Sequence, residues 1–315
     1  MRHGEDRQEI IQANHNVVLM ASIAVASTEP GEPAHFIRRS LEILTRANNA
    51  CLAQYWQVQG DTLICTDRYF AMAPLPDIRH ASQERRFSKG VGLPGRVWSN
   101  ALPHYINSIE DEPELSFRRK GQAISCGIKS VFAFPIKTGP HVQGVIEIFS
   151  FEPFKITNSA NFFYEKLGVY LAGIFRQKEE DTNLLRERHL AKSIIQNLPE
   201  GFLAIDETSR IIEWNERCTQ IFGFEKSEAI GNALVELIIP ARYQEAHMKG
   251  FFQYLSTGNG IVFDKEIKAA ATTRDGAEIT IYMRIFPIEK TGQKRTGAFI
   301  RLANQPEQKP VLQLD

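Results

Sequence analysis

The strongest constraint in this sequence is a proline-free stretch from Asn158 to Leu198, closed by Pro199, that reads as one long helix. Thr157, Asn158 and Ser159 open it with short polar side chains. Such side chains accept from first-turn N–H groups that have no partner inside the helix. Leu167, Leu171 and Ile174 share one face. After a charged middle, Lys178-Glu179-Glu180-Asp181, the apolar residues resume with Leu184, Leu185, Leu190, Ile194, Ile195 and Leu198. A helix this long, polar in its middle and flanked by strand-rich sequence, is expected to be a rod connecting two globular units. Two uses of its apolar stripe stay open. It seats a second copy of the chain as a dimeric coiled coil, or each end caps its own unit.

The 315 residues suffice for two domains with separate cores. Lys plus Arg and Asp plus Glu both number 37, so charge makes no case for a nucleic-acid or anionic-membrane partner. No apolar run approaches the roughly 18 residues of a membrane span. The start, Met1-Arg-His-Gly-Glu-Asp-Arg7, leads into an apolar stretch broken by Asn14, His15 and Asn16, as in an amphipathic helix and unlike a signal peptide. Cys51, Cys65, Cys126 and Cys218 are scattered without a C-x-x-C pair, which argues against structural zinc or a disulfide framework. A cytoplasmic protein in a reducing compartment is the expectation.

Residues from about 7 to 27 have helical rhythm, with Ile10, Ile11, Val17, Val18, Met20 and Ile23 on the expected apolar face. Pro30-Gly-Glu-Pro33 breaks it, and Phe36, Ile37, Leu41 and Leu44 mark a second helix. Strands then follow: Cys51 to Val58, a turn at Gln59-Gly60-Asp61, and Thr62 to Cys65. Helices leading into antiparallel strands indicate an α+β fold. In Gly90-Val-Gly-Leu-Pro-Gly-Arg-Val-Trp98 the glycines suit a tight turn and Pro94 a first helical turn, while Leu93 and Val97 stack at i, i+4. The Lys-Ser/Thr ending of a phosphate loop is missing. Strands are expected over Gly127–Ile136 and Gly144–Ser150, joined by a turn at Gly139-Pro140.

Gly92-Leu-Pro-Gly-Arg-Val-Trp98, Ser130-Val-Phe-Ala-Phe-Pro-Ile136 and Gly144-Val-Ile-Glu-Ile-Phe-Ser150, in that order, resemble the GAF domain family over residues 7–176. The resemblance implies a six-stranded antiparallel sheet with helices, and either a ligand pocket between sheet and loops or a dimerisation role. The motifs of the cyclic-nucleotide and bilin-binding members are absent, so no ligand is implied. Cys126 is expected to be a small buried thiol, and His80 and His104 to be surface or packed histidines.

After the rod, Gly201–Asp206 and Ile211–Trp214 read as paired strands, and Asn215 caps a helix carrying Cys218, Ile221 and Phe222. A helix from about Arg242 to Leu255 ends at Thr257-Gly258. A hairpin of Val262–Ala271 and Glu278–Ile288 turns at Arg274-Asp-Gly276, and Arg295–Leu302 is the last strand. The run Ile211-Ile-Glu-Trp-Asn-Glu-Arg-Cys-Thr-Gln-Ile-Phe-Gly-Phe224, with Ile230-Gly231, resembles the PAS domain family, and order and motifs cover residues 191–303.

Within it, Ile239-Pro-Ala-Arg-Tyr-Gln-Glu-Ala-His247 resembles the helix of the oxygen-sensing haem PAS domains, and His247 falls where those domains place the iron ligand. PAS domains without haem carry the same pattern, and the strand Phe263–Lys268 lacks the arginine that holds bound oxygen in the haem members. The cofactor therefore stays open: haem, another ligand, or none. His247, Trp214 and Phe252 are the candidate cofactor-binding residues, although aromatics at the spacings of Trp214, Phe222, Phe252 and Tyr282 usually belong to a core. Cys218 does not match the flavin-photochemical cysteine motif.

No catalytic constellation is found. His189 lacks the context of a phosphoacceptor, and nucleotide-binding, cyclase and nucleophile-elbow motifs are missing. The chain is expected to be a two-domain sensor without enzymatic activity: GAF-like over 7–176, linker over 177–190, PAS-like over 191–303 and a flexible tail over 304–315. Its expected partners are a second copy of the chain and a separate output protein such as a kinase. The rival expectation is a ligand-free dimerisation scaffold.

Overall fold

The computed structural model describes residues 2–72, 75–154, 158–258, 263, 265–290 and 293–303; Thr157, Val262 and the tail 304–315 lie outside them. Two helices, α1 (Arg2–Thr28) and α2 (Pro33–Ala47), precede strands β1 (Leu52–Gln59) and β2 (Thr62–Phe70). Next come α3 (Pro76–Glu84), β3 (Arg86–Ser88), α4 (Gly92–Asn100), β4 (His104–Ile106), α5 (Lys120–Ser125), β5 (Ser130–Thr138) and β6 (His141–Ser150). The rod is α6 (Asn158–Gln196). It is followed by β7 (Gly201–Ile205), β8 (Ile211–Trp214), α7 (Glu216–Phe222), α8 (Lys226–Ala229), α9 (Leu234–Leu237), α10 (Ala241–Thr257), β9 (Glu266–Thr272), β10 (Glu278–Lys290) and β11 (Gln293–Leu302). The chain divides into two compact units, Met1–Leu185 and Arg186–Asp315.

The first unit has a six-stranded antiparallel sheet in the order β3-β2-β1-β6-β5-β4, as the GAF resemblance implies. Strand β5 is buried along almost its whole length because both faces of the sheet are covered. On one face Phe132, Phe134, Ile146 and Ile148 pack against Leu19 and Ile23 of α1, Leu41 and Leu44 of α2, and Leu167 and Leu171 of α6. On the other, Val131, Val145 and Phe149 meet Ile78 of α3, Leu93 and Val97 of α4, and Ala123 of α5. The apolar face of α1 differs in part from expectation: Ile23 is buried as expected, but Val17 and Val18 are exposed and Leu19 and Ala26 are buried instead. Cys126 is half-buried at the end of α5, not enclosed.

The glycine-rich motif is a packing device. Gly90 and Gly92 have φ of +82° and +63°, which glycine adopts without steric cost. A side chain on Gly95 would lie 2.3 Å from the Ser88 carbonyl oxygen, so only glycine lets α4 approach β3 this closely. Arg96 then donates to the Ser116 carbonyl at 2.7 Å, tying down the loop before α5.

The second unit has a five-stranded antiparallel sheet in the order β8-β7-β11-β10-β9. Asn215, fully buried, organises its entrance. Its Oδ1 accepts from the Cys218 and Phe202 backbone N–H groups at 3.0 and 2.9 Å. Its Nδ2 donates to the Ile195 and Glu200 carbonyls at 3.1 and 2.9 Å, so one side chain joins the end of α6 to β7 and α7. Among the described residues, no helix is long and apolar enough to cross a membrane.

Candidate functional site

Strand alternation decides which side chains of the second sheet face its helices. The register pairs Ile205 with Thr296, Leu203 with Ala298, Ala298 with Ile285, Ile281 with Ala269, and Met283 with Ile267. These residues share one face, and three small positions on it, Ala269, Ala271 and Ala298, leave space. Helix α10 spans that space. Arg242 pairs with Glu278 at one end (Nη1 to Oε2, 2.6 Å), and at the other Lys294 Nζ donates to the Leu255 carbonyl at 2.6 Å. The result is a cavity of about 630 Å³ between α10 and the sheet, within the range of small-molecule sites.

His247 lines this cavity from α10, beside the nearly parallel ring of Phe251 at 6.5 Å. Its Nδ1 is buried without a hydrogen-bond partner. Burial holds the imidazole below its ordinary pKa, because desolvation disfavours the charged ring. As pH falls, the unfolded chain therefore takes up the His247 proton first. The stability this residue permits is fully present above about pH 6.5 and declines as pH drops through that value toward the lower folded-state pKa. The expected result is that urea midpoints of the second unit fall between about pH 8 and about pH 5.5, and that His247→Leu flattens this fall. An unchanged pH dependence in the variant would contradict it.

The other two sequence candidates lie elsewhere. Trp214 on β8 is fully buried, 5.5 Å from Phe222, and donates from Nε1 to Thr219 Oγ1 at 3.1 Å. It is core and does not line the cavity. Phe252 is 58% exposed, on the far side of α10; the cavity is lined by its neighbour Phe251. Tyr282 is on the outer face of the sheet under Arg301, 4.5 Å from the guanidinium carbon. The sequence reading missed Thr296, a buried cavity-lining residue on β11. Its signal was a polar side chain at a strand position whose alternation calls for an apolar one.

Of the groups left open by the sequence, haem is the one for which the lining offers an iron-binding side chain. His247 presents a neutral imidazole to an apolar cavity and would hold the iron, while the inward rows of β9, β10 and β11 would cover the ring. Bound haem would supply gas ligation or electron exchange. No arginine is among the described lining residues, so none is placed there to hold oxygen.

The first unit contains a polar cluster that the sequence reading missed. Arg119, 1% exposed, pairs with fully buried Glu147 at 2.6 Å. The same guanidinium donates to Gln54 Oε1 at 3.1 Å and Ser82 Oγ at 3.0 Å, and Trp56 Nε1 donates to the other Glu147 oxygen at 2.7 Å. Four rings surround the guanidinium, those of Trp56, Phe87, Phe117 and Phe149, at 5.0 to 5.6 Å. This is an internally neutralised ion pair. The buried thiols are inert by contrast: burial pushes Cys65 up to about 11 and Cys51 and Cys218 up to about 12. Among the described residues, no group of His, Cys, Asp and Glu is placed to hold a metal ion.

Residues 190–303 match the PAS family, described as the PAS fold. An uncharacterized protein of Azorhizobium caulinodans is 25% identical over 138 residues, covering 44% of this chain and 18% of that protein. The sensor protein FixL of Bradyrhizobium diazoefficiens is 24% identical over 144 residues, covering 44% of this chain and 28% of FixL. The chain thus matches less than a third of the length of either relative. A crystal structure of the A. aeolicus nlh2 GAF domain in an inactive state is 21% identical, covering 53% of this chain and 98% of that one, with a TM-score of 0.43. The GAF-like reading of the first unit rests on its own motifs and six-stranded sheet.

Proposed function

We propose that this chain is a signal-sensing regulatory protein whose second unit binds a small, mostly apolar ligand in the cavity beside His247 and passes its occupancy to a separate output protein. The observation that carries this reading is the cavity itself, about 630 Å³ between α10 and the sheet. Interiors are normally close-packed, and a space this large is an expected site of ligand entry.

Connectivity supports the relay. Leu203 and Ile205 of β7 line the cavity, and Asn215 bonds β7 to the last turn of α6. A ligand that favours one arrangement of β7 thereby favours one arrangement of the end of α6, which is a population shift. Leu184, Leu185, Leu190 and Ile194 of α6 are exposed in the single chain. They offer a surface to an output protein or a second copy, and a light-scattering mass separates the two.

The test is a visible absorption spectrum of the chain purified from cells supplied with haem precursor, followed by thermal shift with a metabolite panel. A true ligand raises the midpoint as its concentration passes its dissociation constant. Ala269→Phe, which fills the cavity, is expected to lose at least ten-fold in affinity for whatever stabilises the wild type. A haem band lost in His247→Ala would identify haem as the ligand. Stabilisation that survives Ala269→Phe unchanged would place the ligand elsewhere and overturn the reading.

A further inference from the structure

The free edge of the second sheet bears on the chemistry of the cavity's occupant. Five consecutive residues of β9, Ile267 to Ala271, line the cavity, although strand alternation turns only Ile267, Ala269 and Ala271 toward α10. Lys268 and Ala270 reach the same space because β9 is the last strand of its sheet, with its edge open. Backbone hydrogen bonds fix which groups point there. Thr280 stands opposite Ala270 across the β9–β10 pair, and its carbonyl accepts from Ala303 N–H at 3.0 Å, on the side away from β9. Opposite residues of an antiparallel pair either bond each other or both turn away. The N–H and C=O of Ala270 therefore leave the sheet at its edge, as do those of Lys268 and Thr272. Thr272 agrees with this: its N–H donates to the Ile238 carbonyl at 2.9 Å, outside the ladder. Among the described residues, Ala270 and Lys268 have no backbone partner at that edge.

The other polar groups of the lining are sealed, packed or peripheral. His247 Nδ1 and Thr296 Oγ1 are shielded by their surroundings. Tyr243 is 47% exposed, its ring 4.7 Å from the Arg242 guanidinium carbon, and Gln253 is exposed on α10. Tyr254 packs edge-on to Phe263 at 4.7 Å. The Ala270 edge is different, because an extended residue holds its N–H and C=O side by side, and a neighbouring strand meets them with a C=O and an N–H of its own. A ring lactam carries the same pair, an N–H beside a carbonyl, in a flat molecule suited to an apolar space. We infer that the cavity takes a small uncharged molecule with such a lactam edge, whose carbonyl accepts from Ala270 N–H and whose N–H donates to the Ala270 carbonyl. This rests on the reading of the cavity as the ligand site and adds the chemistry of its occupant. The Thr272–Ile238 bond closes the edge at one end, where a whole added strand would lose its place, whereas a ring needs Ala270 alone.

The experiment titrates the full chain by calorimetry with 2-quinolinone and coumarin. The two share one bicyclic shape and one carbonyl, but the ring N–H of the first is an oxygen in the second. The expected result is quinolinone binding tighter by about ten-fold, since coumarin leaves the Ala270 carbonyl without a donor. Ala269→Phe, which fills the cavity, is expected to abolish binding of both. Amide exchange followed by NMR reads the edge directly. In the free chain Ala270 N–H is expected to exchange faster than the ladder-bonded amides of Ala269 and Ala271. Saturating quinolinone is expected to slow it, and coumarin to slow it less. Equal affinity for the two probes, or an Ala270 amide as protected in the free chain as its neighbours, would overturn the lactam edge while the cavity reading stands. Binding that survives Ala269→Phe unchanged, or binding of neither probe, would overturn both.

Discussion

Arg119→Met is expected to destabilise the first unit by about 3–5 kcal/mol, the usual cost of breaking a buried ion pair from one side. The side chain itself is not the main loss, since methionine fills much of the same volume. The loss is Glu147, which stays fully buried with Trp56 Nε1 as its remaining hydrogen-bond donor from this cluster. Gln54 and Ser82 lose a donor as well. Removing both charges is a different case, because two neutral groups of similar shape carry no uncompensated charge into the interior. Arg119→Met combined with Glu147→Gln is therefore expected to cost less than the sum of the singles by about 1–3 kcal/mol. Urea unfolding followed by tryptophan fluorescence in a Trp214→Phe background reports on the first unit, through Trp56 and Trp98. A single Arg119→Met cost below about 1 kcal/mol would show that the pair is solvated or dispensable.

Much of this fold was legible because periodicity is local. Phe36, Ile37, Leu41 and Leu44 are buried as their spacing predicts, and the Ser130–Ile136 and Gly144–Ser150 motifs lie in the paired inner strands β5 and β6. The misses lie where the outcome depends on distant chain. In α1 Ile23 was read correctly, but Leu19 and Ala26 were passed over for Val17 and Val18; which stripe is buried is decided by α2 and the sheet. Arg119 sits at the edge of a loop without rhythm, and its partner is 28 residues further on. Glu147, a lone carboxylate inside an apolar strand, was half of that signal. His247, read from a helix motif, lines the cavity, whereas Phe252 lies one position from the lining Phe251, on a helix whose facing the sequence did not give. Trp214 was chosen for its ring, and a ring is as useful to a core as to a ligand.

Gly168→Ala is expected to destabilise the first unit by about 2–4 kcal/mol, against the intrinsic preference of a helix. Within a solvent-exposed helix, alanine in place of glycine is worth about 1 kcal/mol of stability. At Gly168 the geometry reverses that sign. A Cβ there would lie 1.9 Å from the Pro135 carbonyl oxygen and 3.1 Å from its carbon, so backbone meets backbone with no flexible side chain to give way. Leu167 and Leu171, both fully buried, hold α6 against the sheet at this point and prevent a cheap retreat. Gly173, in the same helix, supplies the control: nothing lies within 4 Å of its Cβ position. Gly173→Ala is thus expected to stabilise by up to about 1 kcal/mol. Opposite signs from one substitution at two positions of one helix, read by urea denaturation with circular dichroism, would establish that α6 is seated on β5 through the missing side chain. The same sign at both would mean that the helix is free to shift along the sheet. A signal carried by α6 would then have no fixed point in the first unit to act against.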